Sequence, residues 1–248
     1  MKAMVLAAGL GTRLRPLTDD RPKALVEIDG RTLLEITLSR LRTFGVSEVI
    51  INVHHFAAMV VGYLQANNNF GMRIEISREE VLLDTGGGLK RAAHFFLEHS
   101  SRPDEPFIVH NVDVLSSIDL LRMAQFHTKN LALATLAVQD RKTSRQLLFD
   151  ESLQLCGRQS GSNQPELVRG CQQMHALAFS GIHLISPRLL TMMTEDGAFS
   201  IIATYLRLAA QKEKILAFRA DDYYWRDLGK PENIAHAERD VKQNLILL

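Results

Sequence analysis

The sequence has few cysteines, little net charge and no long apolar segment. Its two cysteines, Cys156 and Cys171, lack the paired spacing of a zinc site, so we expect both to be reduced thiols. The formal net charge is only +1 among 248 residues. A chain so close to neutral has no long-range field that would draw it onto nucleic acid or an anionic membrane, so neither is an expected partner.

No apolar run reaches the length of a membrane span, and the run near the start is too short for a secretory leader. Internal repeats and low-complexity segments are also absent. We therefore expect a cytoplasmic protein, either a monomer or a homodimer. Because 46% of the residues are hydrophobic, the chain can bury a core of its own, and we predict a single domain over residues 1–248.

The first 140 residues alternate short apolar runs with segments of helical periodicity. We predict strands over residues 2–8, 49–53, 72–77, 107–110 and 131–138. We predict helices over residues 33–44, 56–66, 86–97 and 120–129. This alternation is typical of an α/β sandwich with a largely parallel sheet.

The pattern changes after residue 140. It predicts a hairpin over 145–157, a loop over 158–173, a strand over 176–185, a helix from Pro187, a helix over 200–211, a strand over 215–219 and a helix over 231–246. The strand over 176–185 is expected to break at Ser180 and Gly181. We therefore divide the domain into residues 1–140 and a second half, residues 141–248, of mixed α+β structure.

A glycine-rich segment follows the first predicted strand. It contains Ala8, Gly9, Gly11, Thr12 and Arg13. Glycines at a strand end let the backbone approach a phosphate closely. Leu14 stands where the dinucleotide fingerprint needs a third glycine, and the Gly-Lys-Ser/Thr of a P-loop is absent. The segment therefore indicates another kind of phosphate loop with Arg13 as a fixed cation, although a plain glycine turn with surface arginines remains open.

Lys23 follows in the segment Arg21-Pro22-Lys23-Ala24-Leu25. Pro22 fixes its own φ and disfavours helix at Arg21, so Lys23 is presented from a stiff, extended stretch. A lysine held in this way suits a phosphate oxygen as a point charge. A lone lysine is more often simply solvated, but its position close to Arg13 favours the phosphate.

The segments Gly-Leu-Gly-Thr-Arg and Arg-Pro-Lys-Ala-Leu resemble motifs of the sugar-1-phosphate nucleotidyltransferases. The short chain looks most similar to the N-acetylmuramate 1-phosphate uridylyltransferases, and the resemblance extends from Lys2 to about Glu238. It implies a Rossmann-like α/β/α sandwich, the nucleotide-diphospho-sugar transferase fold, with a mostly parallel central sheet and a small α+β sugar-binding part. Residues 1–140 would bind the nucleotide and residues 141–248 the sugar phosphate.

The resemblance implies a reaction of a nucleoside triphosphate with a sugar 1-phosphate, with Mg²⁺ as cofactor. Uridine triphosphate with N-acetylmuramate 1-phosphate is the leading pair, and guanosine triphosphate with mannose or a heptose 1-phosphate is the alternative. The implied nucleotide-binding residues are Ala8, Gly9, Gly11, Thr12, Arg13, Lys23, Thr85, Gly86 and Gly87. The implied sugar-phosphate residues are Asn111, Ser180 and Gly181, and the implied catalytic residues are Arg13, Lys23 and Asp113.

The segment around Thr85, Gly86 and Gly87 reads as a glycine-rich helix start, and an open helix N-terminus can accept an anion or a flat ring. Asp84 or Thr85 acting only as the helix N-cap is a compatible alternative. The segments 77–84 and 157–175 are the least similar to the family, so we expect them to select the base and the sugar.

Two aspartates are the implied metal ligands. Asp113 follows the predicted strand over 107–110, and ligands bind at the carboxyl ends of strands in open α/β sheets. Val112 precedes it where many relatives have glycine. Asp227 is paired with Asp113 by the resemblance alone, since the spacing of the two residues does not connect them. Carboxylates, phosphate oxygens and water are the ligands that Mg²⁺ prefers.

One family feature is missing, because no Glu-Lys-Pro triplet occurs between Gly157 and Gln173. The lysine of that triplet contacts the sugar phosphate in the family, and Arg158 or Arg169 are candidate replacements. His183, next to the sugar-site strand break, is more typical of a packed histidine than of a ligand.

Two other functional classes occur on the same or a similar fold. A non-catalytic nucleotide-sensing domain on the same fold usually lacks some of the charged site residues, and here Arg13, Lys23 and both aspartates are present. An NAD-dependent oxidoreductase is disfavoured by Leu14 and by the absence of an acid at the end of the second strand.

Overall fold

The computed structural model describes residues 1–98 and 104–248. Its strands are β1 (Lys2–Leu6), β2 (Glu27–Ile28), β3 (Arg31–Thr32), β4 (Glu48–Val53), β5 (Arg73–Arg78), β6 (Phe107–Asn111), β7 (Val114–Ser116), β8 (Ala134–Gln139), β9 (Arg145–Phe149), β10 (Leu155–Ser160), β11 (Glu166–Leu167), β12 (His175–Ile185), β13 (Ile215–Arg219) and β14 (Trp225–Asp227). Its α-helices are α1 (Leu33–Thr43), α2 (Ala57–Ala66), α3 (Asp84–Arg91), α4 (Ala93–Leu97), α5 (Leu120–Lys129), α6 (Arg188–Thr191), α7 (Ile201–Ala210) and α8 (Pro231–Lys242).

Strands β5, β4, β1 and β6 lie side by side in that order and run parallel. Their side chains alternate between two cores, so Ala3 and Val5 of β1 face one hydrophobic cluster and Met4 faces the other. Because both faces are covered, β1, β4 and β6 are mainly apolar in sequence, whereas the edge strand β5 carries charged side chains and is less buried. The predicted α/β fold with a parallel central sheet is confirmed.

Helices cover both faces of the sheet. Helices α1, α5 and α8 supply the first cluster, for example with Leu38 and Ile234. Helices α3, α4 and α7 supply the second, for example with Phe96 and Tyr205. The result is a three-layer α/β/α sandwich. None of the helices in the described parts of the chain combines the length and the apolar character needed to cross a lipid bilayer.

The second half of the chain continues the same sheet mainly through antiparallel pairs, although β13 runs parallel to β8. Strand β12 pairs with β6 and β8 at one end and with β9 at the other, and β10 and β11 extend the sheet beyond β9. The register of β12 against β8 shifts between Phe179 and His183. Gly181 lies in this shift with a φ of +73°, which glycine adopts without strain. Strand β12 nevertheless runs unbroken from His175 to Ile185, so the break predicted at Ser180 and Gly181 is a shift of register within one strand.

The structure differs from the sequence-based expectations in several places. The helix predicted over 86–97 is divided into α3 and α4, the helix predicted over 231–246 ends at Lys242, and the hairpin of β2 and β3 was not predicted. The segment 158–173, expected as a loop, contains the end of β10 and the short strand β11, because the exposed hairpin carries polar side chains without apolar alternation. Helix α3 begins at Asp84 rather than at Gly86, so the glycines lie inside it. The short strands β7 and β14, which the sequence did not predict, pair antiparallel with each other.

Candidate active site

Three adjoining cavities open where the first sheet strands end. The largest, about 720 Å³, is lined by residues that include Asn111, Asp113, Ser180, Gly181 and Asp227. A second, about 370 Å³, is lined by residues that include Ala8, Gly9, Lys23, Thr85, Asn111 and Asp113. A third, about 390 Å³, is lined by residues that include Arg13, Arg141 and Asp227. We call these the sugar-side, nucleotide-side and basic cavities. The first two share Asn111 and Asp113, so they form one continuous site.

The glycine-rich loop after β1 is shaped by Gly11, which has a φ of +67°. Its carbonyl oxygen accepts hydrogen bonds from the backbone N–H of Leu14 at 2.8 Å and from the hydroxyl of Thr18 at 2.9 Å. A Cβ at this position would lie 3.0 Å from the Thr18 methyl group. Glycine is therefore required both for the backbone conformation and for the close contact with Thr18.

The cationic end of this loop is Arg13, which is exposed and lines the basic cavity. It makes no ion pair with any carboxylate in the two described stretches. A Cβ built on Gly229 would lie 2.7 Å from an Nη atom of Arg13 and 2.6 Å from Oδ1 of Asp227. The guanidinium of Arg13 and the carboxylate of Asp227 therefore flank the same glycine.

Lys23 is the first residue of a 3-10 helix that follows the extended Pro22, so the lysine itself does not lie in the extended stretch that the sequence predicted. Its Nζ atom forms an ion pair with Oδ2 of Asp113. The lysine and the aspartate both line the nucleotide-side cavity and are largely shielded from solvent. The structure therefore brings together two of the three predicted catalytic residues.

The two predicted metal ligands are neighbours through backbone pairing. Asp227 stands opposite Val114 in the β7–β14 ladder, and the N–H of Leu228 donates to the carbonyl oxygen of Asp113 at 2.8 Å. Oδ1 of Asp227 accepts from the N–H of Gly229 at 2.6 Å. Among the residues that the structure describes, Oδ1 of Asp113 and Oδ2 of Asp227 make no hydrogen bond. One oxygen of each carboxylate is therefore available to a ligand.

This pair fits the chemistry of a divalent ion such as Mg²⁺. Such an ion takes one or two protein carboxylates and completes its shell with water and substrate phosphates. No group of three or more histidine, cysteine, aspartate or glutamate side chains with metal-site geometry occurs in the described ranges. An ion held here would therefore keep most of its coordination positions for water and phosphate oxygens.

Gly86 and Gly87 of α3 allow the helix to pack closely against the segment 197–199. The N–H groups of Gly86 and Gly87 donate to the carbonyl oxygen of Phe199 at 2.8 and 3.3 Å. A Cβ on Gly86 would lie 2.3 Å from the Phe199 ring, and one on Gly87 would lie 2.3 Å from the carbonyl oxygen of Gly197. Thr85, but neither glycine, lines the nucleotide-side cavity. The glycines position the loop opposite α3, and their N–H groups are already engaged by protein.

The alternative that Asp84 or Thr85 caps α3 is not seen, since Leu83 is the N-cap and makes no side-chain hydrogen bond. Oδ1 of Asp84 accepts from the N–H of Thr85 at 2.6 Å. The hydroxyl oxygen of Thr85 accepts from the N–H of Ile201 at 3.0 Å. Thr85 therefore ties α3 to the start of α7.

Sequence reasoning missed a buried bridge between Asn52 and Glu79. The side-chain oxygen of Asn52 accepts from the N–H of Ala7 at 2.7 Å, and its amide donates to Glu79 at 2.7 Å. The other carboxylate oxygen of Glu79 accepts from the N–H of Leu83 at 3.0 Å. The bridge fixes the glycine-rich loop relative to the segment before α3. Its signal in the sequence was a polar residue at the end of an apolar strand.

A second missed feature is the stack of Arg141 on Trp225. The guanidinium carbon lies 3.6 Å from the centre of the indole ring. One Nη atom of Arg141 donates to the carbonyl oxygen of Phe179 at 2.7 Å, and the indole N–H donates to that of Ser180 at 2.8 Å. Burial lowers the pKa of Arg141 from its usual value, while the nearby charge of Asp227 acts in the opposite direction.

Arg158 and Arg169, the candidate replacements for the missing lysine, are both engaged by other protein groups. Arg158 lines the sugar-side cavity but is paired with Glu166 at 2.7 Å. Arg169 contacts Gln154 at 3.1 Å and Asp150 at 3.8 Å and is not among the residues lining that cavity. Neither arginine presents an unpaired charge to the sugar-side cavity.

His183 is a packed histidine, as its sequence context indicated. Its Nδ1 lies 2.7 Å from the hydroxyl oxygen of Tyr205, and both side chains are buried. Burial lowers the pKa of His183 to about 3, and the neighbouring His110 acts in the same direction. The imidazole is therefore neutral near pH 7 and belongs to the core.

Comparison with known proteins places this geometry in a family. The family model described as "Nucleotidyl transferase" matches residues 2–147. The chain is 35% identical to N-acetylmuramate alpha-1-phosphate uridylyltransferase of Caulobacter vibrioides over 95% of both proteins. It is 29% identical to mannose-1-phosphate guanylyltransferase of Mycobacterium tuberculosis, over 98% of this chain and 65% of that protein.

A solved structure supports the fold. HddC from Yersinia pseudotuberculosis, determined in complex with GMP-PN, superposes with a TM-score of 0.76 at 21% identity, covering 97% of this chain and 99% of that one. The sequence matches and the shared fold agree with the motifs from which the resemblance was first drawn. The chain therefore belongs to the nucleotidyl transferase family, among the sugar-1-phosphate nucleotidyltransferases.

Proposed function

We propose that the protein transfers a nucleoside monophosphate from a nucleoside triphosphate to a sugar 1-phosphate and releases pyrophosphate. Uridine triphosphate and N-acetylmuramate 1-phosphate are the leading substrates, because the relative with that activity is 35% identical over nearly the full length of both chains. The reaction would take place in the cytoplasm and contribute to cell-wall recycling. Guanosine triphosphate with mannose 1-phosphate or a heptose 1-phosphate is the alternative pair.

One observation carries the proposal: Asp113 lies at the junction of two cavities, paired with Lys23 and next to Asp227. The nucleotide-side cavity holds the glycine-rich loop and Thr85, and we assign it to the triphosphate and the base. The sugar-side cavity holds Asn111, Ser180 and Gly181, and we assign it to the sugar 1-phosphate. The two reactants would then meet at Asp113.

The chemistry at this junction is an in-line displacement. An oxygen of the sugar phosphate forms a bond to the α-phosphorus, and the bond from that phosphorus to the bridging oxygen of the β-phosphate breaks. The attacking phosphate is already anionic near neutral pH, so no general base is needed. Catalysis then consists of positioning the reactants and neutralising charge.

We assign the charge neutralisation to three groups. Lys23 lies beside Asp113 and would stabilise charge around the α-phosphate, and Arg13 would hold the leaving phosphates. A divalent ion held by Asp113 and Asp227 would offset the charge of the phosphate oxygens. Within the free protein, Lys23 itself neutralises Asp113, which keeps that carboxylate oriented towards the junction.

A pyrophosphate-release assay tests this proposal. The purified protein is mixed with each of four nucleoside triphosphates and a panel of sugar 1-phosphates in the presence of Mg²⁺. We expect the fastest release with uridine triphosphate and N-acetylmuramate 1-phosphate. A preference for guanosine triphosphate with mannose or heptose 1-phosphate would select the alternative pair. Nucleotide binding without release from any pair would overturn the enzymatic function in favour of a sensing domain.

A further inference from the structure

Arg141 is a half-buried cation whose hydrogen-bonding capacity is largely unused. It follows β8, and its guanidinium carbon lies over the Trp225 ring, 3.6 Å from the ring centre. A guanidinium has five N–H donors, and the structure shows one hydrogen bond, from an Nη atom to the carbonyl oxygen of Phe179. Its Nε atom is buried without a partner. No ion pair joins Arg141 to a carboxylate anywhere in the described ranges, so Asp227 acts on this charge only from a distance.

The position of Arg141 points to a phosphate. It lines both the sugar-side and the basic cavities, as do Trp225 and Asp227. The same sugar-side cavity is lined by Asn111 and Ser180, whose Oδ1 and Oγ atoms are buried without a partner. Unsatisfied oxygens and an unpaired cation in one cavity suit a ligand that combines hydroxyl groups with an anion.

The other cations of the sugar-side cavity are less suited to this role. Arg158 is paired with Glu166, and Arg145 is exposed to solvent. Arg141 is partly desolvated, and its guanidinium is held by an aromatic face and a carbonyl oxygen, so little side-chain entropy is lost when an anion binds. A planar guanidinium with free donors matches the geometry of phosphate oxygens.

We infer that Arg141, held in place by Trp225, binds the phosphate of the sugar 1-phosphate and takes the role of the lysine that this chain lacks. This inference rests on the proposed function for the identity of the substrate. Trp225 is then a positioning residue, since it acts through the guanidinium that it supports. Its indole N–H also donates to the carbonyl oxygen of Ser180 in β12. The Trp225 side chain therefore contacts both Arg141 and the β12 segment that lines the sugar-side cavity.

Fluorescence gives a direct test, because Trp225 is the single tryptophan of the protein. The intact protein, without nucleotide or metal, is titrated separately with N-acetylmuramate 1-phosphate, mannose 1-phosphate, inorganic phosphate and pyrophosphate. We expect a saturable change in tryptophan emission with at least one sugar 1-phosphate, and a loss of that change in Arg141→Ala. No change with either sugar 1-phosphate, or a change with pyrophosphate alone, would overturn the assignment.

Steady-state kinetics supplies the second test. We expect Arg141→Ala to raise the KM for the sugar 1-phosphate by about ten- to a hundredfold, as for the loss of a hydrogen bond to a charged group. The KM for the nucleoside triphosphate should change little, and Arg141→Lys should restore part of the loss. Equal increases in both KM values, or a larger effect of Arg158→Ala on the KM for the sugar 1-phosphate, would contradict the inference.

A matched control and a second variant keep the result interpretable. Arg188→Ala removes an exposed arginine that is paired with Glu213 outside the three cavities, and should leave both KM values unchanged. If Arg141→Ala does not fold, Arg141→Gln retains a planar group of similar length and carries the same prediction.

The fluorescence change needs no turnover, so an Arg141-dependent signal without pyrophosphate release would reject the proposed function alone. Normal turnover with unchanged KM values in the Arg141 variants would reject this inference alone.

Discussion

The backbone N–H of Leu228 donates a hydrogen bond of 2.8 Å to the carbonyl oxygen of Asp113. With the β7–β14 ladder, this bond sets Asp227 beside Asp113 although the two residues lie in opposite halves of the chain. Backbone pairing is stiffer than a contact between long side chains, so the backbone positions of the two aspartates are set relative to each other before any ligand binds. The candidate metal site is therefore built from strand register.

The two aspartates should both be essential for turnover. We expect Asp113→Asn and Asp227→Asn each to lower kcat/KM by at least about a thousandfold, since each removes a charge that stabilises the phosphate oxygens in the transition state. The backbone bonds of β7 and β14 are unaffected by either change, so circular dichroism should remain that of the native protein. Steady-state assays on folded variants measure the effect, and near-normal turnover in either one would contradict the role assigned to it.

Glycines in two helices should respond oppositely to alanine. Gly87→Ala places a Cβ 2.3 Å from the carbonyl oxygen of Gly197, so we expect a loss of stability of about 1–3 kcal/mol. Gly62→Ala, within α2, meets no atom within 4 Å and should gain about 0.5–1 kcal/mol. Urea unfolding of both variants provides the measurement. A Gly87→Ala protein as stable as the native one would show that α3 does not pack against the 197–199 segment as described.

The buried histidines should make the protein less stable as the pH falls. Burial lowers the pKa of His127 to about 4 and, aided by the charge of Arg40, that of His110 to about 4. Each should titrate near pH 6.5 once unfolded, so the unfolded state binds more protons between pH 6.5 and about pH 4. The free energy of unfolding should therefore be highest above pH 6.5. Between pH 6.5 and pH 4 it should decrease by about 3 kcal/mol per histidine.

Urea unfolding at pH 7.5 and pH 5.0 measures this decrease. His127→Gln serves as the diagnostic variant, because glutamine retains polar atoms near Thr135 and Ser186 but does not titrate. We expect it to be less stable than the native protein at pH 7.5 and to lose less stability on going to pH 5.0. An unchanged difference between the two pH values would show that His127 is not the titrating group.

The two thiols should differ sharply in reactivity. Burial, together with the neighbouring Cys171 thiol, raises the pKa of Cys156 to about 12, so almost no thiolate forms at pH 8. Cys171 is partly exposed. We expect a thiol reagent to modify one cysteine rapidly in the native protein and two in denaturant, and to find no rapid phase in Cys171→Ser. Rapid modification of Cys156 in that variant would contradict the buried environment described here.

The sequence was sufficient to predict those helices and strands whose pattern of apolar residues lies within the element itself. Strands β1, β4 and β6 are covered on both faces and are therefore mainly apolar, and α1 shows helical spacing along its buried face. The exposed hairpin of β10 and β11 has no such pattern. Strands β7 and β14 have three residues each, too few for any periodicity, and they pair across a long separation in sequence.

The same distinction applies to the site. Arg13, Lys23 and Asp113 stand in short motifs, so the sequence indicated them before the structure placed them at the cavities. Arg141 stands in no motif, and its environment comes from Trp225 and the strand segment at Phe179, which only tertiary structure brings together. Residues whose role depends on a distant partner are therefore the ones that sequence reasoning missed.

The central claim is that Asp113 and Asp227 bind one divalent ion together. Anomalous diffraction from crystals grown with Mn²⁺, a nucleoside triphosphate and a sugar 1-phosphate tests it most directly, because manganese prefers the same oxygen ligands as magnesium. The account predicts a single strong peak at the cavity junction in contact with both carboxylates, absent in Asp227→Asn. A peak that contacts only one of the two aspartates, or that persists unchanged in Asp227→Asn, would contradict it.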